Sequence, residues 1–229
     1  MIAGAHPLDH PIWSALTTGQ RGIAEGGARA WRYPPAIAPF AAIADAMPES
    51  YEALRSLLSP ADRAVLFTPD AVVPPDAFEL HLAATGEQMV GAAVHVSAGG
   101  PEIVTLGVAD VPAMMELVAL TKPGPFSVRT HELGTFLGIR IGGQLVAMAG
   151  ERMKPEGYTE MTAVCTHPSH RGRGYAQAVL GAISERIAAR GEMPFLHVFS
   201  ENAAAIALYH RLGLRIRRRI HVTVLGRRA

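Results

Sequence analysis

The chain has 229 residues, of which 49% are apolar and 18% charged. That balance excludes a disordered chain, and no unbroken apolar run approaches the roughly 18 residues of a membrane-crossing helix. The formal net charge of +1 hides a division, because residues 1–165 hold 10 Lys/Arg against 17 Asp/Glu while residues 166–229 hold 11 against 3. A basic third of this kind points to nucleic acid or to a small polyphosphate ligand, and charge alone does not separate the two. The single cysteine, Cys165, excludes an internal disulfide and a cysteine-based zinc site, and no metal site is expected. The opening MIAGAHPLDHP lacks a basic start followed by an apolar stretch, so a cytoplasmic protein without a secretory signal is the expectation.

In the first hundred residues, proline punctuates short elements at Pro34-Pro35, Pro48, Pro60, Pro69 and Pro74-Pro75. Tyr51, Leu54, Leu57 and Leu58 have helical spacing and predict a helix over 50–58, and Val65, Leu66 and Phe67 predict a strand over 63–68. No catalytic motif occurs there. The small-residue run Ser97-Ala98-Gly99-Gly100 within 94–101 reads as a linker. It divides a smaller α/β N-terminal region of unknown role, residues 1–98, from a second domain, residues 99–229.

The second domain reads more sharply. A strand over 103–106 precedes a helix carrying Val111, Met114, Met115, Val118 and Leu120, with Asp110 as its expected cap. Residues 136–140 and 144–149 flank Gly142-Gly143 as a hairpin. A strand over 158–166 ends before Pro168, and a helix over 174–190 follows with Ala176, Val179, Leu180, Ile183 and Ile187 on one face and Gly191 as its stop. A strand over 195–199, a helix over 202–212 stopped by Gly213, and a closing strand over 220–225 complete the order β-α-β-β-β-α-β-α-β. The fold class is α/β, a mixed central sheet flanked by helices.

The sharpest feature is the junction Thr166-His167-Pro168-Ser169-His170-Arg171-Gly172-Arg173-Gly174-Tyr175-Ala176, where a strand, a glycine-rich loop and a helix start coincide. Unsatisfied N–H groups at a helix N-terminus, the helix dipole and glycines that admit close approach suit a phosphate, and Arg171 and Arg173 add cationic donors. A tight turn with no ligand is the plainer reading of Gly-x-Gly by itself.

This loop resembles the phosphate-binding signature of the GCN5-related N-acetyltransferase (GNAT) superfamily, Arg/Gln-x-x-Gly-x-Gly/Ala, with Arg171, Gly174 and Ala176 at its defining positions. A second block, Asn202 to Tyr209 followed by Gly213, is similar to the superfamily's penultimate helix. The resemblance runs over about 102–225. Within the superfamily it looks most like the FR47-like branch, with a two-part layout similar to glycine N-acyltransferase-like proteins.

The resemblance implies a GNAT-like acyl-CoA N-acyltransferase fold and a cleft for acetyl-CoA, or another short acyl-CoA, as cosubstrate. Arg171, Gly172, Arg173, Gly174, Tyr175 and Ala176 would then wrap the pyrophosphate, Val164, Cys165 and Thr166 would offer strand backbone to the pantetheine arm, and Asn202 would cap its helix or touch the arm. By the same resemblance Tyr209 matches the residue that protonates the departing thiolate, with a core aromatic as the plainer alternative. The resemblance also makes Glu160, eleven residues before Arg171, the leading general base, with a surface carboxylate as the plainer alternative. His197 is a base, a substrate contact or a satisfied core histidine. Cys165 has no visible activating base and reads as buried rather than nucleophilic.

The run Arg215-Ile216-Arg217-Arg218-Arg219 lacks interleaved aromatic residues, so a solvated strand face or support for a nucleotide phosphate is favoured over nucleic acid. Glu151, Arg152 and Lys154, with Phe126, Arg129, His131 and Glu132, are candidates for the acceptor side. The expectation is an acyl-CoA-dependent N-acetyltransferase acting by direct attack of a small-molecule or peptide amine, without nucleic acid or membrane partners and with a homodimer open. The alternative is a noncatalytic acyl-CoA-binding sensor.

Overall fold

The computed structural model describes residues 6–91 and 100–228. A short helix α1 (Pro11–Thr17), a three-stranded antiparallel sheet of β1 (Glu25–Gly26), β2 (Ala30–Arg32) and β3 (Ala41–Ile43), and helix α2 (Pro48–Leu57) come first. Both helices begin on proline, whose missing N–H would have no intrahelical partner there. Strands β4 (Arg63–Thr68) and β5 (Phe78–Val90) follow, then β6 (Val104–Leu106), α3 (Val111–Thr121), β7 (Phe136–Ile141), β8 (Gln144–Glu151) and β9 (Tyr158–Thr166). The chain ends with α4 (Tyr175–Ala189), β10 (Met193–Phe199), α5 (Ala203–Arg211) and β11 (Arg215–Arg227). The order read for the second half is present, with a longer final strand that takes in the basic run.

The large sheet has eight strands in the order β4-β11-β5-β10-β9-β8-β7-β6. It is mixed, since β9 and β10 run parallel and the other named pairs antiparallel. The expected linker and the division at residue 98 fall within 92–99, outside the described residues. Hydrogen bonding nevertheless joins what stands on either side, because β5 pairs β10 along Phe195–Phe199 and β11 along nearly its whole length. The charge division along the chain closes in the same place: Arg217 and Arg218 pair with Asp9, and Arg219 with Glu87. Asp110 does not cap α3 through its side chain; its carboxylate accepts from the Gly107 N–H at 2.8 Å and from Arg140.

Helices α4 and α5 pack on one face through Val179, Leu180, Ile183, Tyr209 and Leu212 against Leu137, Val146 and Leu196. The N-terminal unit packs on the other, setting Leu8, Ile12, Tyr33 and Phe40 against Phe195, Ile220 and Val222. Helix α3 lies over Phe136, Met148 and Cys165. Each strand of the middle sheet is therefore covered on both sides, which is why β8 reads as an almost unbroken apolar run.

Candidate active site

The site begins with a local irregularity. Opposite Met148 and Gly150 of β8 stand Cys165 and Thr162 of β9, so β9 carries one extra residue in a bulge. Ala163 in that bulge has φ 51°, a left-handed conformation that costs a non-glycine residue about 1–2 kcal/mol. Beside it, β9 and β10 pair only at Tyr158, Thr159 and Glu160, against Met193, Pro194 and Phe195. Beyond those residues the two strands part. The opening is a cleft of about 820 Å³ lined by Met161–Thr166 on one strand and Leu196–Phe199 on the other.

One end of the cleft meets the glycine loop. Gly172 and Gly174 have φ of 76° and 79°, and a Cβ at either would meet nothing within 4 Å. The turn thus requires glycine while leaving open space beside its backbone. Gly174 is the N-cap of the 15-residue α4 and supplies no side-chain bond to the first turn, so those N–H groups have no side-chain cap. Arg171, Gly172, Gly174, Tyr175 and Ala176 all line the cleft, and Arg211 adds a further cation. Arg173, between two of these lining residues, is exposed and outside the lining itself. Val164, Cys165 and Thr166 also line the cleft, and Thr166 Oγ1 is buried there without a hydrogen-bond partner among the described residues. An extended anionic ligand with amide groups, such as a CoA arm, fits this combination of free helix amides, cations and unpaired strand edge.

Asn202 caps α5, accepting from Ala205 N–H at 3.1 Å, and it also lines the cleft. Tyr209 stands on the same helix and faces the cleft at 9% exposure. Burial pushes its phenol up to about 12, so it remains a hydrogen-bond donor at neutral pH. Burial likewise pushes the Cys165 thiol up to about 11, against weaker opposing bonds from Thr121 and Met148. That state is the reverse of an activated nucleophile.

Glu160 does not meet the expectation of a base on the cleft wall. It is fully buried, and it lies behind two residues that do line the cleft, Arg152 and His197. Arg152 Nε and Nη2 donate to its two oxygens at 2.8 and 2.6 Å, and His197 Nδ1 donates at 2.7 Å. Burial alone would raise this carboxyl, but the charge and hydrogen bonds of Arg152, with the hydrogen bond from His197, prevail and hold it at about 2. His197 is itself saturated. Gln88 of β5 receives Arg217 Nη1 at its Oε1 and gives its amide N–H groups to the Leu8 carbonyl at 2.8 Å and to His197 Nε2 at 3.1 Å. These bonds require the Nδ1–H tautomer. Of the three readings of His197, the satisfied core histidine is the one that this geometry matches.

The other acceptor-side candidates divide. Arg152 reaches the cleft and stacks over Phe40 at 4.3 Å. Glu151 is buried between Lys154 and Arg190, and Arg129 pairs with Glu132 at the surface. Phe126 packs edge-on against Phe136, and His131 Nδ1 is buried without a partner among the described residues. None of these six candidates lines the cleft. The surface that sequence reasoning missed is N-terminal: Phe40, Val65, Phe67, Leu82 and Gly86 also line the cleft. The only signal for it was the apolar run at 64–67, which any core strand would share.

Comparison with known proteins agrees with this geometry. The FR47-like protein family matches residues 136–222. N-alpha-acetyltransferase RimI of Mycobacterium tuberculosis is 33% identical over 110 residues, which span 43% of this chain and 68% of that protein. A crystal structure of a GNAT-family protein from Novosphingobium aromaticivorans superposes with TM-score 0.91 at 41% identity, over 98% of this chain and 100% of that one. A GCN5-related N-acetyltransferase from Kribbella flavida superposes with TM-score 0.65 at 17% identity over 98% and 97% of the two chains, a likeness of fold alone. These matches bear on the superfamily and not on a layout like that of the glycine N-acyltransferase-like proteins. With 41% identity along the whole length of one relative, and with the splayed strands and glycine loop in one cleft, the chain belongs to the GCN5-related N-acetyltransferase superfamily.

Proposed function

We propose that the protein transfers an acetyl group from acetyl-CoA to a primary amine by direct attack. The observation that carries this reading is convergence: the uncapped start of α4, the unpaired edges of β9 and β10, and Tyr209 all border one cleft. Gly172, Gly174 and the first turn of α4 would hold the pyrophosphate, with Arg171 beside it. The backbone of 164–166 would bond the pantetheine amides as an added strand. Bound there, acetyl-CoA supplies the acetyl group as a thioester.

The protein's own groups then do three things. The strand edges hold amine and carbonyl carbon together, which removes the entropy of encounter. Tyr209 donates a hydrogen bond where negative charge develops on sulfur as the C–N bond forms and the C–S bond breaks. With its phenol near 12 against about 8.5 for an ordinary thiol, stabilisation by that bond is favoured over full proton transfer. Arg152, Glu160 and His197 fix the wall, and the amine's proton leaves to water. Release of CoA upon addition of an amine panel tests the reading. Turnover with at least one amine is expected, whereas micromolar CoA binding with no turnover on any amine refutes transfer and leaves a sensor.

A further inference from the structure

The charges lining the cleft have one sign. Lys122, Arg152, Arg171 and Arg211 reach it, and no Asp or Glu is among its described lining residues. Arg152 is neutralised by Glu160 from behind, so the carboxylate faces Arg152 and His197 and offers nothing to a ligand. The wall built by the N-terminal unit is apolar: Phe67 packs against Phe40 at 5.3 Å and against His197 at 4.6 Å, with Val65 and Val222 beside them. At its mouth stand Leu82 and Phe199, which are 39% and 44% exposed although both are large and apolar.

Resting on the transferase reading, we infer that the acceptor is a primary amine carried on an apolar, otherwise uncharged body. With the cations of the glycine-loop end matched by the phosphates of CoA, a polyamine or a lysine-rich peptide would bring extra ammonium groups to a wall that offers no Asp or Glu side chain among its described lining residues. An arylalkyl or aliphatic amine instead buries its body against Phe67, Val65 and Val222, a gain that scales with the apolar area removed from water. The same wall serves the chemistry. Desolvation disfavours the ammonium form, so an amine entering this chamber gives its proton to water more readily and arrives as the neutral nucleophile. No side-chain base is then required, which agrees with the saturated state of Glu160 and His197.

The experiment uses the whole chain and acetyl-CoA. Initial rates are measured with phenethylamine, a peptide beginning with phenylalanine, spermidine and a lysine-rich peptide. At least about tenfold higher kcat/KM for either phenyl-bearing amine over both polycations is expected, on the scale of one small group in an apolar pocket. Which phenyl-bearing amine is preferred distinguishes a small molecule from a polypeptide N-terminus as the source. Leu82→Glu, at the half-exposed mouth, should narrow that ratio. Phe67→Ala should lower kcat/KM for phenethylamine while the KM for acetyl-CoA stays unchanged. Equal or better use of spermidine overturns the inference and leaves the transferase reading standing. So does octanoyl-CoA outperforming acetyl-CoA with phenethylamine as its competitor, since the chamber would then hold an acyl chain. If no amine turns over, the transferase reading fails by itself, and calorimetry of phenethylamine with the CoA-loaded protein decides the chamber: binding supports it, and no binding overturns it.

Discussion

Replacing Glu160 by Gln separates an anchoring carboxylate from a catalytic one. The Glu160 carboxyl moves from an ordinary 4.5 to about 2 in the folded chain, so its ionised form contributes about 3 kcal/mol of stability at neutral pH. Because the folded value is depressed, that contribution is complete above the unfolded value near 4.5 and is lost as pH falls from there towards 2. The Gln variant lacks this titration and leaves Arg152 buried without its counter-charge, a change that costs about 3–5 kcal/mol. For a chain of this length each kcal/mol is worth about 2–4 °C, so Tm should fall by roughly 6–20 °C near neutral pH. Urea unfolding of wild type and variant between about pH 7 and pH 3 measures the difference. The gap between the two should be widest at neutral pH and close towards pH 3. Taking the difference removes the acid titration of Asp9, Asp62 and Asp110, whose carboxyls are also held low. A gap that stays constant across that range would refute the assigned ionisation. In turnover, any deficit of Glu160→Gln should be uniform with pH, and a deficit that shrinks as pH rises towards the amine's own value would return Glu160 to the role of base.

Gly174→Asp should weaken CoA binding by about tenfold or more in calorimetry, with the global fold retained at a local cost of about 1–2 kcal/mol for a left-handed Asp, because it sets a carboxylate beside the free amides at the start of α4 where the proposed pyrophosphate would sit. Unchanged affinity in a folded variant would remove the phosphate role from this loop. Tyr209→Phe should lower the chemical rate constant roughly tenfold while leaving acetyl-CoA affinity nearly unchanged, as expected for a hydrogen bond made mainly in the transition state. A normal single-turnover rate would make Tyr209 a core residue only. Cys165→Ala should retain turnover, since the thiol is buried and pushed up to about 11, and loss of activity in a well-folded Ala variant would reopen a covalent route.

What the sequence determined by itself is what is local in the chain. The start of α4 follows β9 within a dozen residues, so the loop, its glycines and Arg171 sit together whatever the rest of the fold does. The same locality made Asn202 legible as the cap of α5, and periodicity made α4 and its apolar face legible, because a helix exposes its pattern in consecutive residues. Tertiary structure decided everything that depends on distant partners. Strand β5 buries Glu87 and Gln88, two polar residues whose partners Arg219 and Arg217 lie about 130 positions later in the chain. Its place between β10 and β11 follows from that pairing and from no motif of its own. Glu160 has the same ambiguity: a carboxylate on a strand is a base or an anchor according to what surrounds it. Arg152, His197 and Gln88 come from three other segments to make it an anchor. The apolar wall of Phe40, Phe67 and Leu82 was likewise invisible, because apolar residues announce burial but not which cavity they will border, and only packing across the sheet brings them to the cleft.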